Sequence, residues 1–209
     1  MDSTDFRQLE PLIRSCLGEF CKPSRIEHSI SVAETAQALC LRFGLDGRKG
    51  FLAGLAHDLM KDRPLADQWE YARRAASNPC LDSVALAVER IESEKAFADK
   101  IIHGPSAAAF LCGECGLKDR DMLEAMAFHS SAAIVMSPLA KIVYVSDKLE
   151  PRRPYMKAED ETETGRLDLD GLMVRALELS IGWLRGNGQA IAQSTIDLYN
   201  ALTMRVTLK

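Results

Sequence analysis

The sequence predicts an all-α fold. Apolar residues recur every three to four positions through most of the chain, the spacing of helices with one buried face. Few segments alternate with period two, and there is no strand–turn–strand pattern. Pro, Gly, Asp and Ser fall between the apolar stretches, where helices start and stop. The 209 residues are enough for one well-packed domain, and no internal repeat divides them.

Taken in order, residues 5–20 carry Phe6, Leu9, Ile13, Leu17 and Phe20 on one face of an amphipathic helix. Pro23-Ser24-Arg25-Ile26-Glu27 reads as the next start, with Ser24 as cap and Glu27 closing a capping box. That helix runs to about Phe43, and Gly44 offers a left-handed stop. Asp46 caps a third helix whose stretch from Phe51 to Met60 is apolar nearly all round, which places it in the core. Pro64 begins a more polar helix through about Ala76, broken by Asn78-Pro79. Residues 82–101 read as further helix. Pro105 suits the first turn of a helix over Ser106–Cys112, and Asp119 caps one over Met122–His129. Ser137-Pro138 opens a helix through Lys148 that Pro151 stops, and Glu159 to Thr164 reads as an acidic loop. Asp168 opens a long helix to Arg185, ended by Gly186-Asn187-Gly188, and residues 193–203 form a last one.

Composition narrows the function. Twenty-six basic against thirty acidic side chains leave a net charge of -4, which excludes uniform attraction to polymeric nucleic acid or an anionic membrane. No apolar run reaches the roughly 18 residues a membrane span needs. The start, MDSTDFRQLEPLIRS, is polar and lacks a signal-peptide core, so a cytoplasmic protein is expected. The six cysteines are too few for a disulfide scaffold at this length. Cys112-Gly-Glu-Cys115 could be a redox pair or half a zinc site. Without a second such pair or a βαβ pattern, two thiols near a helix end is the better reading.

The four histidines, His28, His57, His103 and His129, each fall in or at the end of a predicted helix. Any one alone is explained by an ordinary hydrogen-bonded imidazole. His57-Asp58 is different, because the pair interrupts a segment too apolar to face water. Burying a lone carboxylate costs several kcal/mol, so a cation is expected beside it. Lys61, one turn on, could serve; a divalent metal can bind imidazole and carboxylate together. Asp147 repeats the pattern after Ile142-Val143-Tyr144-Val145-Ser146, with Lys148 and Arg152 as the simpler partners. Histidine and carboxylate without thiolate suit Fe, Mn, Co or Zn.

Five motifs in order carry a resemblance: Arg25-x-x-His28, His57-Asp58-x-x-Lys61-Asp62, Ile102-His103-Gly104-Pro105, Phe128-His129-Ser130-Ser131 and Ser146-Asp147-x-x-Glu150-Pro151-x-Arg153. Over about residues 20–200 the chain resembles the HD-domain metallophosphohydrolases, and within them the bacterial YqeK-type symmetrical dinucleoside tetraphosphatases. It departs from them in places. His129-Ser130-Ser131-Ala132 stands where that family usually has His-Thr-x-Gly, and Ser146 where Ala usually precedes the last Asp. Ala190-Ile191-Ala192-Gln193-Ser194-Thr195 replaces a proline-containing segment ending in Thr, and the stretch between Asp62 and His103 is longer.

The resemblance implies a single HD domain over residues 1–209. Its metal-site core covers about 20–155, and C-terminal helices over about 168–203 complete a nucleotide pocket. His28, His57, Asp58 and Asp147 would bind one divalent metal, with iron expected and Mn, Co or Zn as alternatives. A second ion could be held through His103 and His129. Asp58, Lys61, Asp62, His103 and His129 would serve catalysis, Asp62 by orienting water or else only by capping a helix end. Arg25, Lys61, His103, His129 and Arg153 would meet phosphate, and Ala190, Ile191, Ala192, Gln193, Ser194 and Thr195 the nucleotide. The implied reaction splits diadenosine tetraphosphate and related dinucleoside polyphosphates into two nucleoside diphosphates, by attack of a metal-activated water. Neither polymeric nucleic acid nor a membrane is an expected partner, and a homodimer is left open. Two other readings remain: a non-catalytic nucleotide-sensing module, suggested by the altered Ser131-Ala132, and a di-iron oxygenase with an HD-like core. The second leaves Arg25, Lys61 and Arg153 without a purpose.

Overall fold

Proline and aspartate at the helix starts set most of the architecture. The computed structural model describes residues 6–207, and among them there are helices and no strand. The predicted first position of the opening helix, Asp5, lies outside the described residues, as do the other terminal positions of the expected 1–209 span. Helix α1 (Phe6–Phe20) buries Leu9, Ile13 and Leu17. Helix α2 (Pro23–Arg42) ends as Gly44 turns left-handed at φ 70°. Asp46 accepts from the Arg48 and Lys49 amides to start α3 (Gly47–Ala56). Helix α4 (Leu65–Arg73) passes into a 3-10 turn over Arg74–Ser77, and Asn78-Pro79 breaks the run. Pro105 lies in the first turn of α7 (His103–Glu114). Asp119 caps α8 (Arg120–Phe128), Ser137 caps α9 (Pro138–Leu149) and Asp168 caps α11 (Leu169–Gly186), each accepting a first-turn amide. Helix α12 (Gln193–Thr207) follows Gly188, which is left-handed.

Four expectations need correction. The capping box at Ser24 does not form: Pro23 fits the first helical position with its fixed φ, so the helix begins at Pro23 and Ser24 falls inside the turn. Asp62 supplies the missing cap, accepting from the Lys22 amide at 3.1 Å. Residues 82–101 are not one helix but α5 (Asp82–Ser93) and the short α6 (Ala98–Ile101). The stretch read as an acidic loop is helix α10 (Ala158–Thr164). Asp160 accepts from the Lys157 amide there, and Arg175 on α11 pairs with Asp160 at 2.7 Å and Glu163 at 3.0 Å, relieving the charge that suggested a loop. His57 and Asp58 sit just past the last turn of α3 rather than in mid-helix.

The main hydrophobic core runs from Leu9 on α1 to Leu202 on α12, beside a smaller buried cluster around Ile91 and Ile102. Helices α2 and α3 cross so closely that a Cβ on Gly54 would lie 2.9 Å from Ala33 Cα, and one on Gly50 would lie 2.8 Å from the Ala36 carbonyl. Only hydrogen fits there, and the crossing sets His28 on α2 against His57 at the end of α3.

Candidate metal centre

Each histidine is delivered by the start or end of a helix, or from a helix face turned to the core. His57 is fully buried; its Nδ1–H donates to the Gly54 carbonyl at 2.6 Å, which leaves the lone pair on Nε2. His129 is fixed the same way by Met126 O at 2.7 Å. His28 donates from Nδ1 to Glu150 Oε1 at 3.1 Å, and its Nε2 lies 3.1 Å from Asp147 Oδ1. The imidazole of His57 sits edge-on between those of His28 and His129, at centroid distances of 5.2 and 4.8 Å. Gly104 makes room for this: a Cβ there would come 2.7 Å from Met126 O and 3.0 Å from the His129 ring.

Two buried carboxylates complete the cluster. Asp147 Oδ1 faces His28 Nε2 and, at 3.7 Å, His57 Nε2. Asp58 is shared. Its Oδ2 is 3.7 Å from His57 Nε2, while Oδ1 is 3.0 Å from His103 Nε2 and 3.3 Å from His129 Nε2. His28, His57 and Asp147 thus form one group able to hold a metal ion, and His57, Asp58 and His129 a second.

Electrostatics separate the groups. Burial pushes His57 down to about 3 and His103 down to about 4, so both rings are neutral near pH 7. Asp58 is held well below the usual carboxylate range: burial opposes ionisation, and its contacts in the histidine cluster, chiefly the Nε2–H that His103 turns to it, outweigh that cost. For Asp147, burial is likewise outweighed, by Lys148 and Arg153. His28 is raised; its burial is overcome by its bonds to Asp147 and Glu150.

The residues fit a divalent ion. His57 Nε2 is buried without a hydrogen-bond partner, a lone pair facing one oxygen of each carboxylate. Three electron-rich atoms so placed repel unless a cation lies between them, and imidazole with carboxylate is a donor set for Fe, Mn, Co or Zn.

Cations ring the cluster. The Arg25 guanidinium donates to Asp58 Oδ2, and that of Arg153 to Asp147 Oδ1. Lys61 bonds the Lys100 carbonyl at 2.7 Å and lies 3.0 Å from His103 Nδ1. With Lys61 donating to Nδ1, His103 keeps its proton on Nε2 and donates toward Asp58. Lys61 is therefore not the direct partner of Asp58 that its spacing suggested; Arg25 is. Likewise Lys148, at 2.6 Å, and Arg153 neutralise Asp147, whereas Arg152 turns to Glu27. Asp62 goes to Lys22 and, at 3.9 Å, to Arg25. Residues 190–195 lead into and open α12, and Gln193 and Ser194 line a cavity that Ser131 shares.

Sequence reasoning gave no role to Glu150 or Ser130. Glu150 follows Asp147 by three residues, so both reach His28; that spacing was the available signal. Ser130 Oγ lies 2.8 Å from His129 Nε2 and 3.1 Å from His103 Nε2, a contact for which adjacency to His129 was the only hint.

A buried His/Asp cluster gathered from the ends and inner faces of packed helices defines a helical metalloprotein. The HD domain family profile matches residues 25–152, so the chain belongs to that family. Among curated proteins it is 29% identical to a symmetrical bis(5'-nucleosyl)-tetraphosphatase of Halalkalibacterium halodurans, over 86% of this chain and 89% of that one. It is 26% identical to the protein of the same name from Bacillus subtilis, covering 90% and 94% of the two chains. Among solved structures it is similar to a Clostridium acetobutylicum protein described as a "predicted HD superfamily hydrolase involved in NAD metabolism". That match has a TM-score of 0.75 and 25% identity, and covers 94% of this chain and 97% of that one.

Proposed function

We propose that this chain is a metal-dependent hydrolase that cleaves dinucleoside tetraphosphates symmetrically, giving two nucleoside diphosphates. The observation that carries this reading is Asp58, one carboxylate between two histidine groups, at the centre of a cluster whose edge carries Arg25 on Asp58, Lys61 on His103 and Arg153 on Asp147. The names of the family relatives supply the reaction.

His28, His57, Asp58 and Asp147 are the residues that would hold the metal, and iron is the ion proposed. A second ion, expected through His103 and His129, would share Asp58 with His129 alone, because His103 turns an N–H rather than a lone pair to that oxygen. The metal when bound supplies a Lewis acid, which lowers the pKa of a water and polarises a phosphoryl oxygen. Arg25 and Arg153 exchange their carboxylate partners for substrate phosphate oxygens, for which a guanidinium fork is suited. Lys61 holds His103 in the tautomer that donates from Nε2, so this ring presents a proton to anionic oxygen rather than a lone pair. Water adds at one inner phosphorus and its bond to the central bridging oxygen breaks, so each product keeps two phosphates, while the proton given up by the water passes to solvent. The ADP that leaves is a stable anion and needs no strong acid, which agrees with neutral His57 and His103. Asp62 caps α2 through Oδ2, the oxygen that also lies 3.9 Å from Arg25, so of its two expected roles the capping one has structural support. The C-terminal helices complete the nucleotide pocket through residues 190–195.

Metal-loaded protein given diadenosine tetraphosphate should yield ADP as sole product, with or without oxygen. Formation of ATP with AMP, or binding without turnover, would defeat the proposal. Metal analysis of protein purified without chelator tests the assignment of iron.

A further inference from the structure

We propose that Glu94 is a positioning residue that holds the 190–195 segment in its binding conformation. The inference rests on the reading that this segment meets the nucleotide.

Helix α12 starts at Gln193 after Ala192, which has no side chain to cap the first-turn amides. Glu94 fills that role from a hundred residues away: its Oε1 accepts from the Ser194 amide at 2.9 Å. A carboxylate there also meets the positive end of the helix. Glu94 is itself well anchored. It closes α5, its amide bonds Ile91, and its carbonyl accepts from Phe97 at 2.7 Å and Ala98 at 3.1 Å. It belongs to the long stretch between Asp62 and His103.

Glu94 and Ser194 lie side by side in the wall of a cavity of about 410 Å³, within the range of small-molecule pockets, whose lining also includes Arg90, Ser131, Ile134, Gln193 and Asp197. Ser131 follows Ser130, whose hydroxyl is 2.8 Å from His129 Nε2, so this wall adjoins the catalytic cluster. Tying the start of α12 to the end of α5 in this wall fixes the distance between residues 190–195 and the phosphate-facing groups. Without the bond the segment spends less time in place. Apparent affinity then falls by the same factor as the competent fraction, while the chemical step, once substrate is seated, is unchanged.

The experiment compares metal-loaded wild type, Glu94→Ala and Glu94→Gln with diadenosine tetraphosphate as substrate and ADP as product inhibitor. Removing a charge-assisted bond should raise KM and the ADP inhibition constant about tenfold in Glu94→Ala. Turnover should stay within twofold and metal content should match wild type. Glu94→Gln keeps an acceptor oxygen and should recover to within about threefold of wild type. Glu94→Ala constants within twofold of wild type overturn the proposal. So does a Glu94→Ala protein that melts far lower and loses metal, since that marks general support of the fold. If wild type itself makes no ADP, the functional reading fails, an outcome distinct from an active wild type whose variants behave alike.

Discussion

At the scale of single residues, Ala132 is the clearest local conflict. It is the one non-glycine among the described residues with positive φ, 47°, and it stands where the resembled family usually has Gly. A Cβ in the left-handed region costs roughly 1–2 kcal/mol, so Ala132→Gly should raise stability by about 1 kcal/mol, seen as a melting temperature a few degrees higher. Lys61 bonds His103 and a carbonyl but no metal-facing carboxylate. Lys61→Ala should therefore leave metal content intact while lowering kcat/KM roughly tenfold to a hundredfold; equal loss of metal would refute that division of labour. Protonation gives a third test. His57 and His103 titrate at about 3 and about 4 in the fold but near 6.5 when unfolded, so the unfolded chain binds more protons between those limits. Stability of metal-free protein should thus fall as pH drops from about 6.5 toward 4, against the smaller opposing pull of the raised His28. A melting temperature that rises over that range would contradict the burial of these rings. His57-Asp58 and Asp147 were legible because ionisable groups in apolar segments need an explanation. The tautomers were not: those of His57 and His129 rest on helix-end geometry that brings a carbonyl three residues back within reach, and that of His103 on an amine brought in by folding.

At the scale of elements, helix starts marked by Asp or Ser were legible, because their side chains cap locally. Two of the misread elements had caps or charge partners distant in sequence. Asp62 caps α2, and Arg175 steadies α10. No local pattern reports such bonds. The α2–α3 crossing was likewise invisible as packing, although its glycines were in plain view. Gly54→Ala should cost about 1–3 kcal/mol despite the better helix propensity of alanine, because the new methyl meets backbone on α2. As that crossing sets His28 against His57, the variant should also bind metal more weakly. Chemical denaturation with metal analysis checks both effects.

Across the whole molecule, the proposed ligands come from α2, the end of α3 and α9, with His129 added at the end of α8. An ion bound by all of these stabilises the fold and not the unfolded chain. A hundredfold excess of free ion over its Kd should raise the melting temperature by roughly 5–10 °C over chelated protein, and an unchanged value would argue against the centre. The same arrangement has a consequence for biosynthesis. His28 and Asp147 touch across 119 residues of sequence, so a nascent chain leaving the ribosome cannot close this site until α9 has emerged. With the proposed ligands, capture of the ion would therefore be a late event in the making of this protein, and a chain cut short before Asp147 would have no complete centre to fill.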